Sequence, residues 1–92
     1  MQGDPGSDPR VQELRAEITS TDHEIVGAVN RRLELVRQLK EHKTATGYDF
    51  LDKGREQALL AELERENGGP LSADGLRELH TELLQLTKRE LG

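Results

Sequence analysis

The sequence predicts an all-α chain of three helices, one of them very long, that forms an intertwined homodimeric helical bundle. Three observations lead there. Apolar residues recur at helical rather than alternating spacing from Val11 to Leu91. Turn-forming residues break that pattern at two places, "TATGYDF" and "NGGP". The first helical stretch is also longer than a 92-residue chain can cover with its own residues.

The long helix comes first. "SDPR" supplies Asp8 as N-cap and Pro9 as first helical residue. From there to about Lys43 no Pro intervenes and Gly27 is the single Gly, while Val11, Leu14, Ile18, Ile25, Val29, Val36 and Leu39 keep helical spacing. Roughly 35 residues at about 1.5 Å each make a rod of about 50 Å. A compact domain of this length is only about 30 Å across. A second chain is therefore expected to cover the rod. Asp52 caps a second helix that runs to about Glu66, where "NGGP" stops it by left-handed geometry at Asn or Gly followed by Pro. Ser72 caps a third helix carrying Leu76, Leu79, Leu83, Leu84, Thr87 and Leu91. Tyr48 and Phe50 are expected to pin the loop between the first two helices.

Composition narrows the function. With 33% apolar residues, one Tyr, one Phe and no Trp, a lone chain has a thin core. Chains this small often gain stability by oligomerising, and without Cys no disulfide can help. The lack of Cys also excludes thiolate chemistry and zinc–thiolate sites, and it fits a reducing compartment. A net charge of −5 argues against non-specific nucleic-acid binding. No apolar run approaches the roughly 20 residues of a membrane span. "MQGDPGSDPR" has neither the apolar core nor the basic flank of a signal peptide. The expectation is a cytoplasmic protein with a disordered leader over residues 1–7 and one helical domain over 8–92.

Charges sit where apolar residues belong. With Leu14 at zero on a helical wheel, Ile18, Ile25 and Leu39 fall within about 40° of it, and so do Arg32 and Lys43. Those two cations are about 16 Å apart along the axis. Arg15 and Asp22 fall on the flank of the stripe. On the second helix Glu56 shares a face with Leu59, Leu60 and Leu63, and Thr87 lies on the inward face of the third. Long side chains can snorkel, and a supercoil can make a stripe drift. Taken together, the inward cations outnumber the inward acid, and removing a charge from water costs several kcal/mol unless it is paired. A small, multiply anionic ligand between the helices would satisfy them. Arg15 precedes Arg32 by 17 residues, or about 26 Å of helix, so it cannot reach the same small ligand in its own chain. In an antiparallel dimer it could reach the partner's site.

These residues, at this spacing, resemble the all-helical AroQ-type chorismate mutases in their short monofunctional form. The likeness runs from about Leu14 to Leu91 through "LRAEI", "DHEIVGAVNRRLELV", Lys43, "DKGRE" and "GPLSADGLRELHTELLQLT". It implies an isomerase of aromatic amino acid biosynthesis that rearranges chorismate to prephenate by a pericyclic Claisen shift, with no nucleophile, metal or cofactor. It further implies that Arg32 binds one substrate carboxylate and that Arg15 of the partner chain binds the other. Lys43 would touch a carboxylate and the ether oxygen. Glu56 would take the ring hydroxyl with Asp52 beside it, Arg55 would orient the carboxylate end, and Thr87 stands where the family often has Ser. Lys43, Arg32 and Glu56 would carry the catalysis.

One position departs. The family often has a polar Gln where Leu91 aligns, helping the Lys grip the ether oxygen. Some short actinobacterial-type members are similarly Gln-less and are activated by the DAHP synthase that opens the shikimate pathway, which makes such an enzyme a candidate partner. The same carboxylates could accept an ammonium, so a mutase for 4-amino-4-deoxychorismate remains open, as does an isochorismate pyruvate lyase. From another class, a non-catalytic helical dimer that scaffolds a partner also remains. His23 and His42 are expected to face solvent and His80 to pack beside the apolar face of the third helix. None of the three has metal-ligand spacing.

Overall fold

The structure of the chain, a computed structural model, describes residues 5–48 and 52–92. These residues form a short 3-10 turn, Pro5–Ser7, and three α-helices: α1 Pro9–Thr46, α2 Lys53–Glu66 and α3 Ala73–Leu91. No strand occurs among the described residues. The chain divides into two compact units, Met1–Glu34 and Leu35–Gly92, with α1 running through the boundary. Phe50 and residues 1–4 of the expected leader lie outside the described residues.

The N-terminal unit begins as the capping residues dictate. Asp8 Oδ1 accepts from the Arg10 amide at 2.9 Å, and the Asp8 carbonyl accepts from the Gln12 amide at 3.0 Å. These contacts satisfy donors that a helix start otherwise leaves without partners. The Gln12 side chain donates to the Gly6 carbonyl and ties the 3-10 turn to the helix. None of the described residues of α1 is buried. The apolar stripe expected along it is divided. Val11, Val29 and Val36 are half-buried, whereas Leu14, Ile18, Ile25 and Leu39 are exposed, Ile18 at 59% and Ile25 at 54%. Val26, off that stripe, is 60% exposed.

In the C-terminal unit α1 ends three residues beyond Lys43, where a loop was expected to begin. The Thr44 and Thr46 hydroxyls donate back to the carbonyls of Lys40 and His42, at 2.8 and 2.9 Å, so the threonines extend the helix instead of breaking it. Gly47 then takes φ 80°, and the Tyr48 amide donates to the Lys43 carbonyl at 2.9 Å. A left-handed Gly followed by this reach-back bond is a Schellman stop. Tyr48 is exposed, and its ring centroid lies 6.4 Å from that of His42.

Asp52 caps α2 as its position requires, its Oδ1 accepting from the Arg55 amide at 3.0 Å. The end of α2 differs from expectation. Asn67 is extended, with φ −73° and ψ 102°, and left-handed geometry occurs at no residue of "NGGP". The Asn67 side chain makes the stop instead. Its Nδ2 donates to the Leu71 carbonyl at 2.8 Å, and its Oδ1 accepts from the Gly69 amide at 3.3 Å. This strap delivers the chain to Ser72, which caps α3 by accepting from the Gly75 amide at 3.0 Å. Gly75 has no side chain because a Cβ there would lie 2.9 Å from Leu71 Cδ1 and 3.1 Å from Ser72 Oγ.

Helices α2 and α3 pack against each other. The Arg77 Nε donates to Glu64 Oε1 at 2.9 Å across them, and that hydrogen bond raises the Arg77 pKa above its ordinary value. The pair is exposed and adds little stability. The buried side chains among the described residues are Leu76, 8% exposed, and His80, 7% exposed. Replacing Gly47 by Ala forces a Cβ into left-handed geometry, and replacing Ser72 by Ala removes the α3 cap. Each is expected to lower stability by about 1 kcal/mol in thermal unfolding followed by circular dichroism.

Candidate active site

The residues expected to bind a ligand are held by helix ends and half-buried faces. Lys43 occupies the last turn of α1, where a cation is favoured by the helix dipole. Its side chain is half-buried, and its carbonyl anchors the Schellman bond. Lys43 therefore sits at a fixed distance from the chain reversal that follows. Arg32 is half-buried as well, on α1 in the N-terminal unit, whereas Arg15 in the same unit is exposed. The offset of 17 residues keeps the two guanidinium-bearing positions about 26 Å apart along the helix. One chain's Arg15 and Arg32 do not meet on one small ligand.

The first turn of α2 carries the acidic side of the site. Asp52 is exposed and spends Oδ1 on the cap. Arg55, whose amide that cap satisfies, is exposed too. Glu56 follows in the first helical turn, where a carboxylate complements the positive end of the helix. Its amide donates to the Asp52 carbonyl at 3.2 Å. Glu56, Leu59, Leu60 and Leu63 are all half-buried, so the acid does share the inward face of α2.

Glu56 meets a residue that periodicity had marked only as packing. His80 Nε2 of α3 lies 3.5 Å from Glu56 Oε2. Both atoms are buried, and neither has a hydrogen-bond partner. At 3.5 Å the pair is at the limit of hydrogen bonding. Leaving such a donor or acceptor unsatisfied costs roughly 1–3 kcal/mol, so each atom has reason to seek the other. The signal that could have found this pair was available: a titratable residue in the Leu76, His80, Leu83, Leu84 stripe of α3, and an acid in the facing stripe of α2. What the sequence lacks is the pairing of those two stripes at that level.

About two turns beyond His80, the half-buried Thr87 donates its hydroxyl to the Leu83 carbonyl at 2.7 Å. The end of α3 is held from α1, with Lys40 Nζ donating to the carbonyls of Leu91 at 3.1 Å and Gly92 at 3.2 Å. Leu91 itself is half-buried. A shallow groove lined by Arg37, Lys40, Glu41, Thr44 and Ala45 runs along another face of α1, and it holds none of the expected site residues. His23 and His42 are exposed. Among the described residues no three His, Cys, Asp or Glu side chains are grouped to hold a metal ion. No helix of the described residues is long and apolar enough to cross a membrane.

Three helices, with Arg32, Lys43 and Glu56 at half-buried positions on them, define an all-helical protein. The sequence profile of the chorismate mutase type II family matches residues 14–90, and the chain belongs to that family. Two solved structures of chorismate mutase from Thermus thermophilus are similar to it. Form I has a TM-score of 0.80 at 32% identity, covering 85% of this chain and 98% of that one. Form II has a TM-score of 0.81 at 31% identity, covering 87% and 91% respectively. No curated protein matches the chain.

The Lys40 contacts lead to a measurable expectation. Replacing Lys40 by Met removes the ammonium from the last carbonyls of α3. Amide hydrogen exchange in the final turn, around Lys88–Leu91, should then accelerate by up to about tenfold, with the middle of α3 unchanged.

Proposed function

We propose that this chain, an isomerase of the chorismate mutase type II family, converts chorismate to prephenate as a homodimer. The observation that carries the reading is the family match over residues 14–90, which contains Arg15, Arg32, Lys43, Asp52, Arg55, Glu56 and Thr87. The half-burial of Arg32, Lys43 and Glu56 agrees with a place for them beside a ligand rather than in open solvent.

The reaction breaks the carbon–oxygen bond of the enolpyruvyl ether and forms a carbon–carbon bond to the ring within one molecule. No group is added or lost. The protein's tasks are to hold a dianion in its folded conformer and to favour the charge that grows on the ether oxygen. Arg32 binds one carboxylate. Lys43 binds a carboxylate and the ether oxygen, where a fixed cation is worth most in the transition state. Glu56, with Asp52 beside it, accepts from the ring hydroxyl, and Arg55 steers the carboxylate end. Thr87 supplies a hydroxyl to a carboxylate by turning it from Leu83. Arg15 of the partner chain takes the second carboxylate.

The exposed Leu14, Ile18, Ile25 and Leu39 support the dimer. The half-buried Leu91, standing where the resemblance has a polar Gln, supports assistance by a DAHP synthase at the end of α3. Purified protein is expected to consume chorismate, followed by loss of its absorbance, and a DAHP synthase to raise the rate. Arg32→Ala should lower kcat/KM by at least about a hundredfold, the range for a charge-assisted contact in a dry site, with the far-ultraviolet circular dichroism unchanged. Wild-type protein that consumes no chorismate under either condition contradicts the reading.

A further inference from the structure

We infer that His80 is a positioning residue for Glu56. It engages one carboxylate oxygen and leaves the other for the ligand. The inference rests on the reading that Glu56 receives the ring substituent of chorismate.

The two oxygens of Glu56 are not equivalent. Oε2 is buried against His80 Nε2 at 3.5 Å, while the Glu56 side chain as a whole is 40% exposed. One oxygen is dry and faces an imidazole, and the rest of the group is open. A carboxylate is acceptor-only, so the facing nitrogen must carry a hydrogen; a lone pair there would repel the oxygen. The pairing therefore takes the histidine in its Nε2–H form, and a movement of a few tenths of an ångström closes a normal hydrogen bond.

A purely packing role does not account for a histidine here. Leu76, Leu83 and Leu84 share the face of position 80 on α3, and another Leu would fill it without placing a polar atom in the driest part of the unit. Glu56 gives the imidazole its partner, and the imidazole gives Glu56 a defined rotamer. The flexible carboxylate of an exposed helix start becomes a fixed acceptor, which is what recognition of one donor group requires.

The test combines a double-mutant cycle with histidine resonances. With chorismate, His80→Leu should lower kcat/KM by about tenfold, the scale of one lost hydrogen bond to a charged group, and His80→Gln should recover most of it by returning a donor near Nε2. In a Glu56→Ala background, His80→Leu should change kcat/KM less than about twofold, because its route of action is gone. Equal losses in both backgrounds would mark a general packing role and overturn the inference, as would full activity in His80→Leu. A wild type that does not turn over chorismate removes the functional reading and the kinetic arm of the test with it. The pair is then decided separately by nitrogen-15 resonances of the His80 ring, expected to report a protonated Nε2 that shifts in Glu56→Gln. An unchanged Nε2 resonance overturns the pairing.

Discussion

An α-helix of 38 residues that buries none of its described residues within its own chain cannot account for its own stability. Leu14, Ile18, Ile25 and Leu39 form a stripe within about 60° of arc. Each is 41–59% exposed. Covering the open half of such side chains, with Val26 and Leu35 beside them, is worth about 5–9 kcal/mol per chain. Two chains doing this for each other offset an association cost of about 4–15 kcal/mol. The proposed homodimer follows from that balance. It also explains why the buried residues within one chain amount to so little.

The same constraint bears on the proposed site. Charged groups are expensive in a helical core, and this chain places Arg32, Lys43 and Glu56 in half-buried positions. Lys43 is held by the stop at Gly47, and Glu56 by the cap at Asp52, so each of these two charged groups stands at a helix end whose dipole favours its sign. A reaction that needs a folded dianion and a cation near one oxygen fits such a site, because the fixed charges need little reorganisation as the bond breaks. His80 extends the logic one step behind Glu56, where α3 meets the first turn of α2.

Much of this was legible in the sequence, because caps and periodicity are local. Asp8, Asp52 and Ser72 cap the three helices at the expected places, and Glu56 shares the inward face of α2. The failures have physical causes, and two of them are local. Thr44 and Thr46 look like loop residues, yet their hydroxyls return to the preceding turn and lengthen α1. "NGGP" stops α2 through the amide of Asn67 instead of through left-handed backbone, and composition does not distinguish those routes. The contact of His80 with Glu56 was hidden because it depends on the register between two helices, which neither helix's period specifies. The dimer was read from the length of α1, and the exposed stripe supports it by an independent route.

The central claim is that each site is completed by a second chain, with Arg32 and Lys43 from one and Arg15 from the other. Mixing Arg15→Ala chains with Arg32→Ala chains tests it most directly. Each variant alone should be nearly inactive. After unfolding and refolding together, which lets subunits exchange, the mixed dimer holds one site with both arginines intact, and activity should recover toward about one quarter of wild type at equal proportions. Mixed dimers that form, as seen by mass spectrometry, and yet recover no activity would contradict the shared site.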